Sequence, residues 1–218
     1  MDTKQKIIQA AVKLFNREGY AAATLQDIAR DMEVGRRNIA YHFPTKDDIL
    51  KEIARVMWDR LDAEREKRRQ FPSFENLASE VQMYTAFQEE YAFIFSDTKV
   101  IKHPLLEKRF RDFCDSTIRD NAAAIAFAIK LGNMKEEPFP GAYHNLSLSI
   151  WIISLFWLPQ LAIRKEKEKK DDAAKVIWSL ILPHFTEKGV ESFKSFFGKA
   201  YFDSIGKPFK VELNMDFF

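Results

Sequence analysis

Arg36, Arg37 and Asn38 are three consecutive side chains whose chemistry matches the edges of nucleic-acid bases. A guanidinium donates two parallel bonds to guanine O6 and N7, a carboxamide donates and accepts at adenine, and both also suit phosphate oxygens. Tyr41, His42 and Lys46 follow, so the segment ends in an aromatic, basic surface. The preceding residues supply a frame for this triplet. Leu25, Ile28, Ala29 and Met32 recur at i, i+3, i+4 and i+7, which gives a helix one buried stripe and leaves Gln26, Asp27 and Arg30 outside. Thr24 and Asp27 form the start of a capping box. The pattern breaks at Glu33 and Val34 and restarts behind Gly35, an acceptable N-cap, so a second helix is predicted over residues 36 to about 41. Two short helices joined by a three-residue turn, with the reading side chains in the first turn of the second helix, are the layout of a helix-turn-helix.

Over roughly its first fifty residues the chain resembles the tetracycline-repressor (TetR) family of bacterial regulators. The resemblance is carried by Thr24, Ile28 and Ala29 in the first helix of the motif, Val34 in the turn, Tyr41-His42-Phe43 closing the recognition helix, and Lys46 beyond it. It implies that Arg36, Arg37 and Asn38 face the groove, that Tyr41 and Lys46 grip phosphates, and that His42 and Phe43 pack the helix end. Thr24, Gln26 and Gly35 complete the expected DNA-facing set. Three residues depart from the family pattern. Glu33 stands where glycine is usual, and a left-handed backbone there costs roughly 1 kcal/mol. Gly35 replaces a Ser or Thr cap, and Ala40 replaces a further tyrosine, leaving Arg36 or Arg37 to make up that phosphate contact.

With 218 residues, 46% of them apolar, the chain can bury a sizeable core as one large or two small domains. Seven Gly, eight Pro and long periodic stretches argue for an all-α protein over a sandwich or barrel. Its net charge of +2 confines any basic footprint to a local patch such as Arg36, Arg37 and Lys46. One cysteine excludes an internal disulfide framework, and the start at Met1 lacks a secretory pattern, so a cytoplasmic protein is expected. The run 146–163 approaches membrane-spanning length, but Ser147, Ser149, Ser154, Pro159 and Gln160 interrupt it, which favours a helix buried on several sides in a dimer. The scattered His42, His103, His144 and His184 lack metal-ligand spacing, and Cys114 sits at core spacing from Phe110 and Ile118. No metal, cofactor or catalytic constellation is expected: phosphate loop, nucleophile elbow and clustered carboxylates are all missing.

Periodicity predicts further helices over residues 3–18, 45 to about 69, 74–96 and 105–131, a loop at 132–141, a long helix ending in the charged run 164–170, and a last helical region from 171 that kinks at Pro183. The basic run 65–69 reads as a solvated helix end. The expected division is a three-helix helix-turn-helix head at 1–50 and a helical-bundle ligand-binding and dimerisation domain at 51–218. Aromatics reach 14%, with twenty Phe, and concentrate after the head. Tyr84, Phe87, Tyr91, Phe110, Phe156 and Trp157 are therefore expected to line an apolar effector cavity, with Gln88, Thr117 and Asn121 as its polar members. Ile150, Ile152, Ile153, Ile177, Leu180 and Ile181 are expected at a homodimer interface, because the apolar run leaves no face for water. The resemblance implies a homodimeric regulator, a repressor released from a roughly palindromic operator in double-stranded DNA by an effector, which the aromatic content suggests is small and apolar. The alternative is a ligand-independent DNA-binding dimer whose C-terminal half only dimerises.

Overall fold

The computed structural model describes residues 2–68, 72–167, 169 and 171–206. Within them the chain is all-α, with no strand and one isolated bridge between Met134 and Phe185. α1 (Thr3–Glu18) starts at a capping box of Asp2 and Gln5 and stops at Gly19, whose φ of 83° favours glycine. α2 (Leu25–Asp31) and α3 (Arg36–His42) are the predicted pair, and Glu33 between them has the left-handed φ of 56° that its place in the turn demands. α4 (Lys46–Arg68) leaves the head, opened by Thr45 and Asp48, which bond each other reciprocally. The expected ends at Arg69 and Lys170 lie outside the described residues.

The rest is α5 (Phe74–Glu90), α6 (Ala92–Phe95), α7 (Thr98–Ile101), α8 (Glu107–Lys130), α9 (Ala142–Arg164), α10 (Asp172–Ile181), α11 (Glu187–Phe197) and α12 (Lys199–Ser204). Three boundaries differ from the periodicity. The helix expected over 74–96 breaks at Tyr91 (φ −115°, ψ 41°). α9 ends at Arg164 with Lys165 left-handed, and it is broken internally at Phe156 (φ −108°, ψ 16°), three residues before Pro159. Pro183 ends a helix instead of kinking one: α10 closes in a 3₁₀ turn over Leu182–His184, and α11 starts afresh behind Thr186.

Two apolar cores form. The first joins the head (Ile7, Leu14, Phe15, Ile28, Ile39) to α4, the far end of α5, α6, α8 and Leu155 of α9. The expected division after residue 50 thus falls inside a helix and inside this shared core. The second core contains Val81 of α5, Ile125 of α8, Ile150, Trp157 and Leu161 of α9, and α10 to α12. Its centre is an aromatic nest: Phe74 lies 5.4 Å from Phe193 and 5.8 Å from Trp178, ring to ring, and Phe193 is fully buried against Phe197. Much of the aromatic surplus fills this nest.

Two expectations about charge and interface are corrected here. Arg65 is not a solvated helix end: it is 8% exposed, donates to Ser116 (2.9 Å) and Asp120 (2.8 Å) and lies over the Phe113 ring, so it ties α4 to α8. Ile150, Ile177 and Ile181 are packed in the chain's own second core and offer no surface to a second copy, whereas Ile152 and Leu180 are exposed and Ile153 partly so.

The end of α8 is held by the start of α11. Thr186 Oγ1 donates to the carbonyl of Gly132 (2.7 Å) and Lys188 Nζ to that of Leu131 (2.6 Å), satisfying the carbonyls that close a helix. Gly189 makes this approach geometric, because a Cβ there would lie 2.0 Å from the Asn133 carbonyl oxygen. Gly189→Ala is expected to destabilise the chain by about 2 kcal/mol or more, measured by urea unfolding. A second outcome concerns acid. Hydrogen bonds from Thr24 and Thr45 hold the Asp27 and Asp48 carboxyls below their ordinary value of 3.8. Carboxyls lowered in this way stabilise the fold fully above about pH 4 and lose that contribution as the pH falls through the folded pKa. The stability gap between the wild type and Asp48→Asn is therefore expected to shrink on acidification, as urea midpoints at successive pH values would record.

Candidate functional site

α3 presents one face to the core and the other to solvent. Ile39 is fully buried, and Phe43 at the helix end is 6% exposed. Arg36, Arg37 and Asn38 are exposed, and among the described residues their side chains make no hydrogen bond or ion pair. Tyr41 is 84% exposed, its ring set edge-on 5.1 Å from half-buried His42. Gln26 and Gly35 are also exposed. A surface with three consecutive unspent donors and a free phenol has the chemistry that suits phosphate oxygens and base edges, and the fold itself does not consume it.

Two expected DNA contacts are already occupied. Thr24 is exposed, but its hydroxyl donates to Asp27 (2.6 Å) and accepts from the Asp27 N–H (3.2 Å), so it serves as the α2 cap. Lys46 is not a free phosphate clamp. Its ammonium has three protons and donates to three carbonyls of the α1–α2 turn, those of Tyr20 (2.7 Å), Ala21 (3.2 Å) and Ala23 (2.9 Å). It also lies 4.5 Å from the centre of the Tyr20 ring, and burial holds its pKa below the ordinary 10.5. The neighbouring Tyr20 hydroxyl donates to Asp47 (2.5 Å), and its pKa is raised by burial and by that carboxylate. Lys46 thus fastens the turn that sets α2 and α3 against α4, a role hidden in the sequence because its acceptors are backbone atoms more than twenty positions away.

The aromatic constellation divides. Tyr84, Phe87 and Gln88 line a cavity of about 20 Å³, together with Trp58 and Leu61 of α4, Phe95 of α6, Phe113 of α8, and Trp151, Ser154 and Leu155 of α9. That volume holds about one water molecule. The other expected members lie elsewhere. Phe110 packs between Trp58 and Phe95, and Trp157 faces the second core. Phe156 sits at the α9 break, and Asn121 donates to the Ser147 carbonyl (3.4 Å). Thr117 is buried beside Tyr84. Tyr91 accepts from Arg60 (3.1 Å), and burial, aided by Glu90, pushes its pKa up to about 12. Trp58 and Trp151 escaped the sequence reading because they lie beside the apolar stripes, where periodicity gives no weight.

Gln88 is not a ligand-orienting amide in this arrangement. Its Nε2 donates to the Ser154 carbonyl and its Oε1 accepts from Leu158 N–H (3.4 Å). Outside the cavity, a depression of about 360 Å³ opens to solvent between α4 and α5, lined by Arg60, Ala63, Glu64, Met83, Ala86, Phe87 and Glu90. Phe87 belongs to both walls, and Arg60 lies 5.1 Å over its ring, held by Glu90 (2.6 Å).

The contrast between Lys46 and Arg37 is measurable. Lys46→Met is expected to lower head stability by about 1–3 kcal/mol, the cost of stranding buried carbonyls, with the salt dependence of DNA binding unchanged. Arg37→Ala is expected to leave the melting temperature alone and to cost about 1–3 kcal/mol of discrimination between matched and scrambled DNA. A Lys46→Met protein that melts like the wild type but has a salt slope smaller by about one would return Lys46 to phosphate binding.

Comparison with known proteins agrees with this geometry. Residues 7–53 match the family described as bacterial regulatory proteins, tetR family, and residues 54–193 match the bacterial transcriptional repressor family TetR. The biofilm operon icaADBC HTH-type negative transcriptional regulator IcaR of Staphylococcus aureus (strain Newman) is 36% identical over 59 residues, 27% of this chain and 32% of IcaR. The chain thus spans about a third of the length of the curated relatives it matches. Among solved structures, a TetR-family transcriptional regulator from Marinobacter aquaeolei VT8 superposes with a TM-score of 0.78 at 22% identity, covering 90% of this chain and 97% of that one. The SmeT–triclosan complex superposes with a TM-score of 0.61 at 17% identity over 85% and 92%. SmeT is the repressor of the Stenotrophomonas maltophilia multidrug efflux pump SmeDEF. These two likenesses concern the fold. With both family models matched end to end across most of its length, the chain belongs to the TetR family of helix-turn-helix transcriptional regulators.

Proposed function

We propose that the chain is a cytoplasmic homodimeric repressor that binds a roughly palindromic operator through α3 and is released by a small apolar effector. The observation that carries the DNA half of this reading is the triplet Arg36, Arg37 and Asn38, exposed and unspent in the first turn of the recognition helix. A two-fold pair of heads engages two half-sites about 34–36 Å apart, so any ligand that favours another separation weakens binding. For the second copy, Ile152 of α9 and Leu180 of α10 are exposed apolar residues on the two helices expected at the interface, with Ile153 partly exposed. α9 is long and apolar enough to cross a membrane, yet it packs on α5, α8 and α10, which supports a core helix with one face toward a partner.

The effector half rests on the cavity between α4, α5 and α9. Its wall is aromatic and carries no free cation, so an anionic ligand would bury its charge unpaired. The indole N–H groups of Trp58 and Trp151 are buried without a protein acceptor, which favours an apolar effector carrying a hydrogen-bond acceptor. SmeT has been solved with triclosan, an instance of this fold holding a small aromatic molecule. A second reading, the ligand-independent dimer, is favoured by the small volume of the cavity.

Selection of bound sequences from random DNA, followed by a small-molecule screen for release, tests both halves. A palindromic consensus and release by uncharged aromatic compounds are expected, with about 2.7 kcal/mol of coupling for a 100-fold loss of affinity. Phe87→Ala should impair release and leave ligand-free operator affinity unchanged. Ile152→Glu together with Leu180→Glu should give monomers by light scattering and half-site affinity alone; an intact wild-type monomer at micromolar concentration would refute the dimer, and failure of every compound would favour the ligand-independent reading.

A further inference from the structure

Two side-chain amides bridge two broken helices, and both act on the same turn of α5. In a regular helix Leu158 N–H donates to the Ser154 carbonyl, and residue 159 donates to that of Leu155. Pro159 has no N–H, and the backbone departs from helical geometry at Phe156. Gln88 spans this break, donating to the Ser154 carbonyl and accepting from Leu158 N–H (3.4 Å). The second break is at Tyr91. There Ile94 N–H turns to the Tyr91 carbonyl (2.9 Å), which leaves the Glu90 carbonyl without its helical donor. Asn16 of α1 supplies one: its Nδ2 donates to the Glu90 carbonyl (2.9 Å), and its Oδ1 accepts from Phe93 N–H (3.0 Å).

We propose that the last turn of α5 is a strut that sets the orientation of the DNA-reading head, anchored to α9 by Gln88 and to the head by Asn16. The remaining contacts at this joint include ring packing of Phe93 against Phe15 and Tyr20, which tolerates sliding, whereas a two-point amide clasp fixes direction. Gln88 also lines the cavity, so a ligand there would meet the strut at its α9 end. At that end the inference rests on the effector reading; at the head end it rests on DNA binding by paired heads alone. Asn16 is a positioning residue and touches no DNA in this account.

The test uses the full chain and a series of operators whose half-site spacing is changed by one and two base pairs, each step turning one half-site by about 35° relative to the other. Asn16 is exposed, so Asn16→Ala is expected to fold and to keep single half-site affinity, with a melting temperature lowered by the freed Glu90 carbonyl and Phe93 N–H. It should bind the preferred spacing about two- to tenfold more weakly, the range that one or two hydrogen bonds convert to, and discriminate less between spacings. Asn16→Asp should behave alike, because a carboxylate cannot donate to the Glu90 carbonyl. Gln88→Leu should shift the preferred spacing, and Pro159→Ala, which gives the Leu155 carbonyl its helical donor and favours closing the break that Gln88 spans, provides a second perturbation of that end if Gln88→Leu does not fold. Either shift should vanish in the Asn16→Ala background. Wild-type spacing preference in Asn16→Ala, or an equal Gln88 or Pro159 effect with and without Asn16, overturns the strut while leaving the dimeric repressor standing. A wild-type chain that is monomeric by light scattering and indifferent to spacing overturns both.

Discussion

A head made of one sixteen-residue helix and two seven-residue helices cannot hold a core of its own, since helices of seven residues are marginal in water and three such elements enclose too little apolar surface. The chain meets this constraint by sharing. Phe15 and Tyr20 of the head pack against Phe93 beyond the end of α5, and the same cluster continues through Trp58 and Phe110 to Leu155 of α9. What the recognition helix presents to DNA is therefore determined partly by residues more than a hundred positions away. Lys46 acts inside the head in the same spirit, closing three carbonyls of the turn between α1 and α2.

The local devices of the head could be read directly from sequence. The capping box at Thr24 and the stripe of Ile28 and Ala29 follow from short-range chemistry, the resemblance pointed to a left-handed residue at Glu33, and the structure has each of them. What was not legible depends on partners far along the chain. The break after Glu90 falls in an aromatic stretch without Gly or Pro, and its partner, Asn16, lies 74 positions earlier. Arg65 reads as one more member of a basic run until Ser116 and Asp120 are seen beside it. Lys46 matched the resemblance by position, but its three protons were spoken for by carbonyls that no side-chain pattern records.

The candidate site shows the same division. Arg36, Arg37 and Asn38 were placed by their position in the first turn of α3 and by the resemblance, and all three are exposed while Ile39 is buried. The effector constellation fared less well because α9 is apolar around its whole circumference, and such a helix has no pattern from which rotation can be read. Trp157 consequently turned away from the cavity and Trp151 toward it. Of the isoleucines assigned to a partner, those at 150, 177 and 181 serve the chain's own interior. Some aromatics do line the cavity, and many others gather around Phe74 and Phe193.

That gathering has a consequence for how the protein is made. Phe74 opens α5 and packs against Trp178, Phe185, Phe193, Phe196 and Phe197, all of which leave the ribosome more than a hundred residues later. Until α10 and α11 emerge, the start of α5 lacks this aromatic cover, and the first core likewise waits for Leu155. Contacts of such long range delay folding until synthesis is nearly complete. A nascent chain would thus carry its recognition sequence outside the ribosome well before it could hold that sequence in shape, and a transcript cut short anywhere before α11 would yield a sticky fragment for the cell's proteases instead of a partial regulator competing for DNA.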